Sequence, residues 1–196
     1  MLGLVLTSFL HASPETFSFR GLSWGSSPEV AIERLPFLSF ARTNENATAF
    51  AKHWKVSDLT TLVGRDEIDG TTAQLSLTFH KGRLLAVALV FVPPNERTAL
   101  VDDFRRKFLL LEEKYGAANR SFLQCISLAS RTLSEANCYV TPDLTLSGFW
   151  ALSDTTITLF AGQVAGKKPE YAIRYIDAVE LRTRSSAKDR AVGEKL

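Results

Sequence analysis

The sequence contains few of the residues from which recognisable active sites are built. Its 196 residues include three histidines and two cysteines, and no H-E-x-x-H, G-x-S-x-G, P-loop or G-x-G-x-x-G motif is present. These absences argue against a zinc protease, a serine hydrolase of the common type and a nucleotide-binding enzyme. We therefore expect no catalytic residues, no cofactor and no bound metal. A hydrolase assembled from residues distant in sequence is the alternative.

A strong charge of one sign is also lacking. The formal net charge is +2, and the tail from Arg182 to Leu196 carries five cations against two carboxylates, a balance of +3 that leaves −1 for the rest of the chain. Such a chain has no basic surface of the kind that binds nucleic acid, so we expect no nucleic-acid partner. The stretch 64–70 clusters three carboxylates without the spacing of a calcium-binding loop, and we interpret it as a solvated turn.

The sequence also lacks a long apolar run. The run MLGLVLTSFL at residues 1–10 falls short of the roughly 20 residues that span a bilayer. His11-Ala12-Ser13-Pro14 follows it and resembles the end of a secretory signal peptide, although a positively charged start is missing. A buried first strand is the alternative. We predict a signal peptide at 1–13, a single globular domain at 14–181, a disordered charged tail at 182–196 and no stable membrane span.

The two cysteines fit an exported protein. Cys125 and Cys138 are thirteen residues apart, and in an oxidising compartment such a pair is best interpreted as a disulfide that closes a small loop. Two unrelated buried thiols are the alternative. No cysteine follows the apolar run at residues 1–10, which disfavours a lipid-anchored form. The sequence thus predicts a periplasmic or extracellular protein.

The clearest structural pattern is a β-hairpin over residues 71–92. The first strand alternates apolar and polar residues, which predicts one apolar face and one wet face. The second strand follows the turn at Lys81 and Gly82 and is apolar at every position from 84 to 92. Gly82 supplies the positive φ that a two-residue turn requires.

Counting outward from that turn predicts the register of the hairpin. Leu77 then lies opposite Ala86, on the apolar side of the first strand, and the two alanines of the second strand leave room for a helix. The opposite face of the second strand is left as an apolar stripe beside polar neighbours. The stripe consists of Leu85, Val87, Leu89 and Phe91.

Two helices and further strands complete the prediction. Ser26 or Ser27 as the N-cap, followed by Pro28, suits the start of a helix that ends at Leu35. A second helix runs from about 96 to 115, where Gly116 stops it. Asp102 with Arg106, and Asp103 with Lys107, form i,i+4 pairs on its solvent side. Strands are predicted near 55–63, 121–140 (with a connection at 134–137), 148–161 and 171–179. The fold class is α+β: an antiparallel sheet with the helices on one face, in an order that allows two tandem helix-plus-strands units.

The run from Phe19 to Val30, FRGLSWGSSPEV, resembles the opening of small exported bacterial proteins in which an F-x-G-x-x-W-G-x-S segment enters a helix. Their helix-then-strands units are similar to those of the beta-lactamase inhibitory protein and the outer-membrane assembly lipoprotein SmpA/BamE. The lipoprotein cysteine is missing here. The resemblance implies a fold of such units and a binding role without catalysis.

The sequence favours a non-catalytic protein-binding or accessory protein of the bacterial envelope, with another envelope protein as its partner. A carrier of a small apolar ligand, held between sheet and helices, is the alternative from another class. The stripe of the hairpin is the candidate binding surface because an apolar face without a cover is a common interaction site. Covering of the stripe by a loop of the same chain, such as 42–51 or the cysteine loop, or by a homodimer partner is the competing interpretation. The candidate binding residues are Leu85, Val87, Leu89, Phe91, Tyr171 and Tyr175.

Overall fold

A computed structural model describes residues 17–41, 58–122, 125–126, 132–133, 145–162 and 170–183. Four predictions fall wholly or partly outside these residues: the signal peptide at 1–13, the connection at 134–137, the partner of Cys125 in the predicted disulfide, and the tail beyond residue 183. The tail was predicted to begin at 182, but the structure places residues 178–183 in a short helix.

An antiparallel sheet forms the centre of the molecule, and the fold is of the α+β class, as predicted. Among the described residues the sheet has eight strands in the order β1-β2-β3-β4-β10-β9-β8-β5, and β6 and β7 form a separate pair. The strands are β1 Ser39–Phe40, β2 Leu59–Ile68, β3 Thr71–His80, β4 Arg83–Phe91, β5 Arg120–Phe122, β6 Cys125–Ile126, β7 Thr132–Leu133, β8 Thr145–Ala151, β9 Thr155–Gly162 and β10 Glu170–Asp177.

The two predicted helices are confirmed, with local reasons for their ends. Helix α1 spans Pro28–Arg34, and the Ser27 side chain accepts a hydrogen bond from the backbone N–H of Val30 at its start. Helix α2 spans Arg97–Tyr115. It stops at Gly116, whose φ of 82° lies in the left-handed region that favours glycine. A third helix, α3, covers residues 178–183.

The predicted register of the β3–β4 hairpin is wrong beyond its first two pairs. His80 faces Arg83 and Phe79 faces Leu84, as counted from the turn, but the register then shifts and Thr78 faces Ala86. Leu85 has no partner on β3, which makes it the extra residue of a β-bulge. A bulge moves every later side chain of its strand to the opposite face.

The bulge sends the large side chains of β4 to the core and the alanines outward. Val87, Leu89 and Phe91 now share a face with Leu77 and Leu75 of β3, whereas Ala86 and Ala88, predicted to lie under the helix, occupy the other face. The predicted stripe therefore does not exist as an exposed surface. Leu85, Val87, Leu89 and Phe91 are all at most 3% exposed.

Helix α2 lies against the face that carries Val87, Leu89 and Phe91. The Phe108 ring contacts the Trp150 ring of β8 at a centroid distance of 5.2 Å, and Tyr115 contacts Tyr175 of β10 at 6.2 Å. The hydroxyl of Tyr171, also in β10, donates a hydrogen bond to Asp103 of α2. These contacts join the helix to strands β8 and β10, which belong to one half of the sheet.

Two charge predictions need correction. The stretch 64–70 is not a loop, because β2 continues to Ile68 and the turn to β3 consists of Asp69 and Gly70 alone. Asp103 and Lys107 do pair, but in the interior and not on the solvent side. Arg106 was predicted to pair with Asp102, but it pairs with Asp103 and Asp69.

Strands β6 and β7 are antiparallel, with Cys125 opposite Leu133 and Ile126 opposite Thr132.

One row of side chains crosses the sheet symmetrically. The strand pairings place six residues side by side in the sequence of strands β2, β3, β4, β10, β9 and β8. The row begins and ends with glycine, has leucine next to each glycine, and has Leu89 and Ile173 at its centre. Its members are Gly64, Leu75, Leu89, Ile173, Leu159 and Gly148.

Each glycine at the ends of this row lies under an aromatic ring. A Cβ atom at Gly64 would stand 2.7 Å from the ring of Phe37, and one at Gly148 would stand 2.9 Å from the ring of Phe108. Real Cβ atoms do not approach other heavy atoms so closely. Both positions therefore require glycine because a ring packs directly on the backbone.

Candidate functional site

The six candidate binding residues predicted from the sequence are all buried. Tyr171 and Tyr175 are 1% and 7% exposed and belong to the same core cluster as Val87, Leu89 and Phe91. They do not form an open face. Two of the six, Leu89 and Tyr175, nevertheless line a cavity between the sheet and α2.

This cavity has a volume of about 390 Å³ and lies between α2 and the segment from Ser18 to Arg20. Its floor is the centre of the sheet, formed by Leu89, Ile173 and Tyr175. Leu89 and Ile173 are the central pair of the symmetric row and face each other across β4 and β10. The cavity thus opens over the point where the two halves of the sheet meet.

Apolar side chains also line the walls. Leu110, Leu111 and Tyr115 of α2 form one wall, and Phe19 and Ile68 contribute opposite them. Leu110 is 43% exposed and stands at the rim of the cavity. The remaining lining residues are polar or charged: Ser18, Arg20, Glu67, Asp69, Lys107 and Lys114.

Tyr175 is the residue at which both covers of the sheet meet. Its ring is contacted by Phe17 and Phe19 at centroid distances of 5.7 and 6.2 Å, and by Tyr115 of α2 at 6.2 Å. Burial, and then the neighbouring Tyr115, raise the pKa of Tyr175 well above the usual value for tyrosine. The hydroxyl therefore stays protonated at neutral pH.

Residues of the F-x-G-x-x-W-G motif hold the wall opposite α2. The backbones of Phe19 and Leu22 exchange hydrogen bonds, and Gly21 and Gly25 adopt φ values of 78° and 83° that bend the chain twice. Trp24 donates from Nε1 to the hydroxyl of Thr155 at 2.9 Å. The motif therefore anchors the segment before α1 to the β8–β9 hairpin of the other half.

The amino end of the described segment is fixed at the same place. The Phe17 N–H donates to Asp154 Oδ2 at 2.9 Å, and the Phe17 ring stacks on Trp24 at 3.7 Å. The other oxygen of Asp154 accepts a hydrogen bond from Thr155. One carboxylate thus ties the start of this wall to a β-turn that is distant in sequence.

A buried ionic cluster closes one end of the cavity. Lys107, whose side chain is fully buried, donates from Nζ to both oxygens of Asp103 at 2.8 Å and to the hydroxyl of Thr71 at 3.2 Å. Its ammonium also lies 4.6 Å from the centre of the Phe91 ring. Because an ammonium has three donors, this set of acceptors leaves none for a ligand.

Asp103 is held by three donors. Besides Lys107, it accepts hydrogen bonds from Tyr171 at 2.9 Å and from Arg106. Burial alone would raise the pKa of Asp103, but the hydrogen bonds from these three side chains outweigh it and hold that pKa below the usual range. Burial, and then the bond to Asp103, raise the pKa of Tyr171. A charged carboxylate therefore persists inside the protein at neutral pH.

Sequence reasoning missed this cluster, although a signal was present. Lys107 falls at the helical spacing of the apolar face, three residues after Phe104 and four before Leu111. A charged residue in that position requires either exposure or a buried partner. Asp103, one turn earlier, is that partner.

No protein-family model, curated protein or solved structure matches this chain. The site must therefore be interpreted from its own chemistry.

The described residues contain no group of three or more histidine, cysteine or carboxylate side chains that could hold a metal ion. His80 Nδ1 lies 3.9 Å from Glu180 Oε1, at the far end of the β3–β4 hairpin. Among the described helices none is long and apolar enough to cross a membrane.

Proposed function

We propose that this protein is a non-catalytic binding protein whose ligand is a small molecule held in the cavity between α2 and residues 18–20. The observation that carries the proposal is the cavity itself, about 390 Å³ with an apolar floor at the centre of the sheet. Its floor residues Leu89 and Ile173 belong to the buried hydrophobic core. Concave sites that combine apolar walls with convergent polar groups are the default location of ligand sites.

The buried stripe and the cavity bear differently on the two functions predicted from the sequence, protein recognition and small-ligand binding. Recognition of another protein depended on an exposed stripe at Leu85, Val87, Leu89 and Phe91, and those side chains are buried. The alternative of a small ligand between sheet and helices has a cavity in the corresponding place. We therefore favour the small-ligand function over protein recognition.

A finer account of the fold accompanies this proposal. We propose two tandem units, α1 with β1–β4 and α2 with β5 and β8–β10, related by an approximate two-fold axis through the β4–β10 pair. The strand order and the matching glycine–leucine ends of the row support it. In this arrangement α1 packs on the same face as α2, and the cavity lies between the units. Pockets occur preferentially at such junctions. The likeness to units of the beta-lactamase inhibitory protein stands as a proposal about fold.

Export is proposed on the sequence alone. The apolar run at residues 1–10, with the small residues that follow it, favours cleavage near residue 13 and a periplasmic or extracellular location, in which Cys125 and Cys138 form a disulfide. Amino-terminal sequencing of the protein from fractionated bacterial cells checks the location. An intact residue 1 in the cytoplasmic fraction would contradict it.

The binding function is tested with a generic amphipathic probe. Anilinonaphthalene sulfonate, which fluoresces in apolar sites, should bind the folded protein saturably with one site. Leu110→Glu places a carboxylate at the rim of the cavity and should weaken binding by about tenfold, which corresponds to about 1.4 kcal/mol.

Leu109→Glu is the matched control. Leu109 is the preceding residue of α2, is 62% exposed and does not line the cavity, so this variant should bind like the parent protein. Circular dichroism must show that both variants are folded. Equal binding by both variants, or no saturable binding by the parent protein, would contradict the proposed function.

A further inference from the structure

The strand register decides which carboxylates of β2 face the cavity. Gly64 pairs with Leu75 of the core cluster, on the side of the sheet that carries α2, and residues two apart in a strand share a side. The side chains of Asp66 and Ile68 therefore face α2, whereas that of Glu67 points to the opposite side. Of the two adjacent carboxylates, only that of Asp66 belongs to the side of the cavity.

The carboxylates that the structure describes on this side each have a cation of the protein as partner. Asp66 accepts hydrogen bonds from two nitrogens of Arg20, at 3.2 and 3.0 Å. Asp69, in the turn after β2, pairs with Arg106 at 3.1 Å. The carboxylate of the buried ionic cluster is bound by Lys107. Among the described residues, no carboxylate on this side is left for a cationic ligand.

Lys114 is a lining cation of a different kind. It follows Lys107 by seven residues, which is two turns of α2, so both lie on the same side of the helix. One turn before it stand Leu110 and Leu111, which cannot pair with a charge. No ion pair joins Lys114 to any described residue, and its ammonium lies 5.1 Å from the centre of the Tyr115 ring. One positive charge at the exposed edge of the cavity is thus uncompensated within the described chain.

Building on the proposed function, we infer that the ligand is an amphipathic anion, a small monocarboxylate with an apolar body. The body lies on the floor formed by Leu89 and Ile173, and the carboxylate binds Lys114 at the opening. An ammonium offers three donors to such a group. The cavity volume of about 390 Å³ is near the lower end of the range of about 300–1,000 Å³ for ligand pockets, which suits a small apolar body.

Ligands that carry a positive charge fit less well. A cation would meet the ammonium of Lys114, and it could gain a carboxylate of the described cavity side only by displacing Arg20, Arg106 or Lys107 from it. The ammonium of a zwitterion would be in the same position. Discrimination therefore comes from repulsion of the wrong ligand as well as from attraction of the right one.

Two probes with the same apolar body and opposite charge test the sign. Phenylbutanoate and phenylbutylamine each compete for the full chain against phenylnaphthylamine, a neutral dye that fluoresces in apolar sites, at neutral pH and low salt. Phenylbutanoate should bind about fivefold more tightly, which is the upper end of what one partly exposed ion pair contributes. Added salt should reduce this advantage, because it screens exposed charges.

Variants of Lys114 assign the charge to its residue. Lys114→Gln should weaken phenylbutanoate and leave the neutral dye unchanged, and Lys114→Arg, which keeps the charge, should retain the advantage of the anion. Lys81→Gln is the matched control, because Lys81 is exposed, does not line the cavity and loses the same charge. The competing reason for a lysine at 114 is the last turn of α2, whose carbonyl groups attract a cation. In that case Lys114→Gln would bind both probes as Lys81→Gln does.

The outcomes distinguish this inference from the function on which it rests. If phenylbutylamine binds as tightly as phenylbutanoate, or if Lys114→Gln affects binding no more than Lys81→Gln, the anionic ligand is wrong and the binding cavity stands. The same holds if a dye binds saturably but neither phenyl probe displaces it. If neither dye nor any phenyl probe binds, the proposed function fails, and the inference fails with it.

Discussion

The buried side chain of Lys107 organises an ionic cluster in the interior of this protein. Its side chain is completely buried, yet it carries a charge that Asp103 and Thr71 satisfy. The cluster joins α2 to β3 and, through Tyr171, to β10. Breaking such a pair costs more than forming it gains, since the remaining charge stays buried without compensation.

We expect Lys107→Met to lower the free energy of unfolding by about 3–5 kcal/mol, because it removes the buried cation that binds both oxygens of Asp103 and leaves the largely exposed Arg106 as the charged partner of that carboxylate. Arg106→Met is the matched control. It removes a cation from the same carboxylate, but the Arg106 side chain is 61% exposed, so the loss should be much smaller. Urea unfolding followed by circular dichroism measures both, and equal losses would contradict the role of burial.

The Lys107–Asp103 pair predicts that the stability of the protein depends on pH. Because the pKa of Asp103 is lower in the folded protein than in the unfolded chain, its contribution to stability is complete above the unfolded value, about pH 4. It is lost as the pH falls through the folded value. The stability difference between the parent protein and Lys107→Met should therefore shrink below about pH 4.

The β3–β4 hairpin shows, at the scale of an element, what a bulge does to a pattern. Residues 84–92 are apolar at every position, so alternation cannot indicate which of them face the core. The extra residue Leu85 resolves this by turning Val87, Leu89 and Phe91 inward and Ala86 and Ala88 outward. The reason is packing, since large side chains fill the space beneath α2.

A pair of identical substitutions tests this register. Val87→Thr places a hydroxyl in the core, where Val87 is fully buried, and should cost about 1–3 kcal/mol of stability. Val90→Thr makes the same change on the opposite, partly exposed face and should cost much less. Urea unfolding measures the stability loss of each variant. If the register predicted by counting from the turn were correct, Val90→Thr would be the more destabilising of the two.

The F-x-G-x-x-W-G motif before α1 was recognisable in the sequence, but its structural role was not. Gly21 and Gly25 bend the chain, and Trp24 reaches Thr155 of β9. Nothing in residues 19–26 indicates that their partner lies some 130 residues later. The motif builds one wall of the candidate site by docking the first half of the chain on the second.

The whole molecule depends on the β4–β10 pair, which joins two groups of strands into one sheet. The core cluster runs from Leu62 of β2 through the centre to Trp150 of β8 without interruption. Two proposed units that share a core and a sheet have no boundary along which they could unfold separately. We therefore expect one cooperative transition.

Leu75→Ala and Leu159→Ala test that expectation at matched positions of the symmetric row. Both leucines are fully buried, and each substitution should cost about 2–5 kcal/mol through the cavity it creates. Differential scanning calorimetry should show a single transition that moves to lower temperature in both variants. Two transitions, each shifted by only one of the substitutions, would show that the units unfold independently.

The sequence by itself determined the elements that local chemistry specifies. Alternation predicted β3, the 3.6-residue period predicted α2, and Ser27, Pro28 and Gly116 predicted helix ends, because caps and periods depend on near neighbours. The antiparallel α+β class followed from the order of these elements.

Only the tertiary structure decided which face of each strand is buried and where the candidate site lies. The bulge at Leu85, the burial of the Lys107–Asp103 pair and the cavity over Leu89 and Ile173 each depend on packing between separate elements. Packing selects among local arrangements of similar energy, and a one-residue shift of register exchanges the two faces of a strand. For that reason the predicted binding stripe became core, and the candidate site appeared between α2 and the segment that precedes α1.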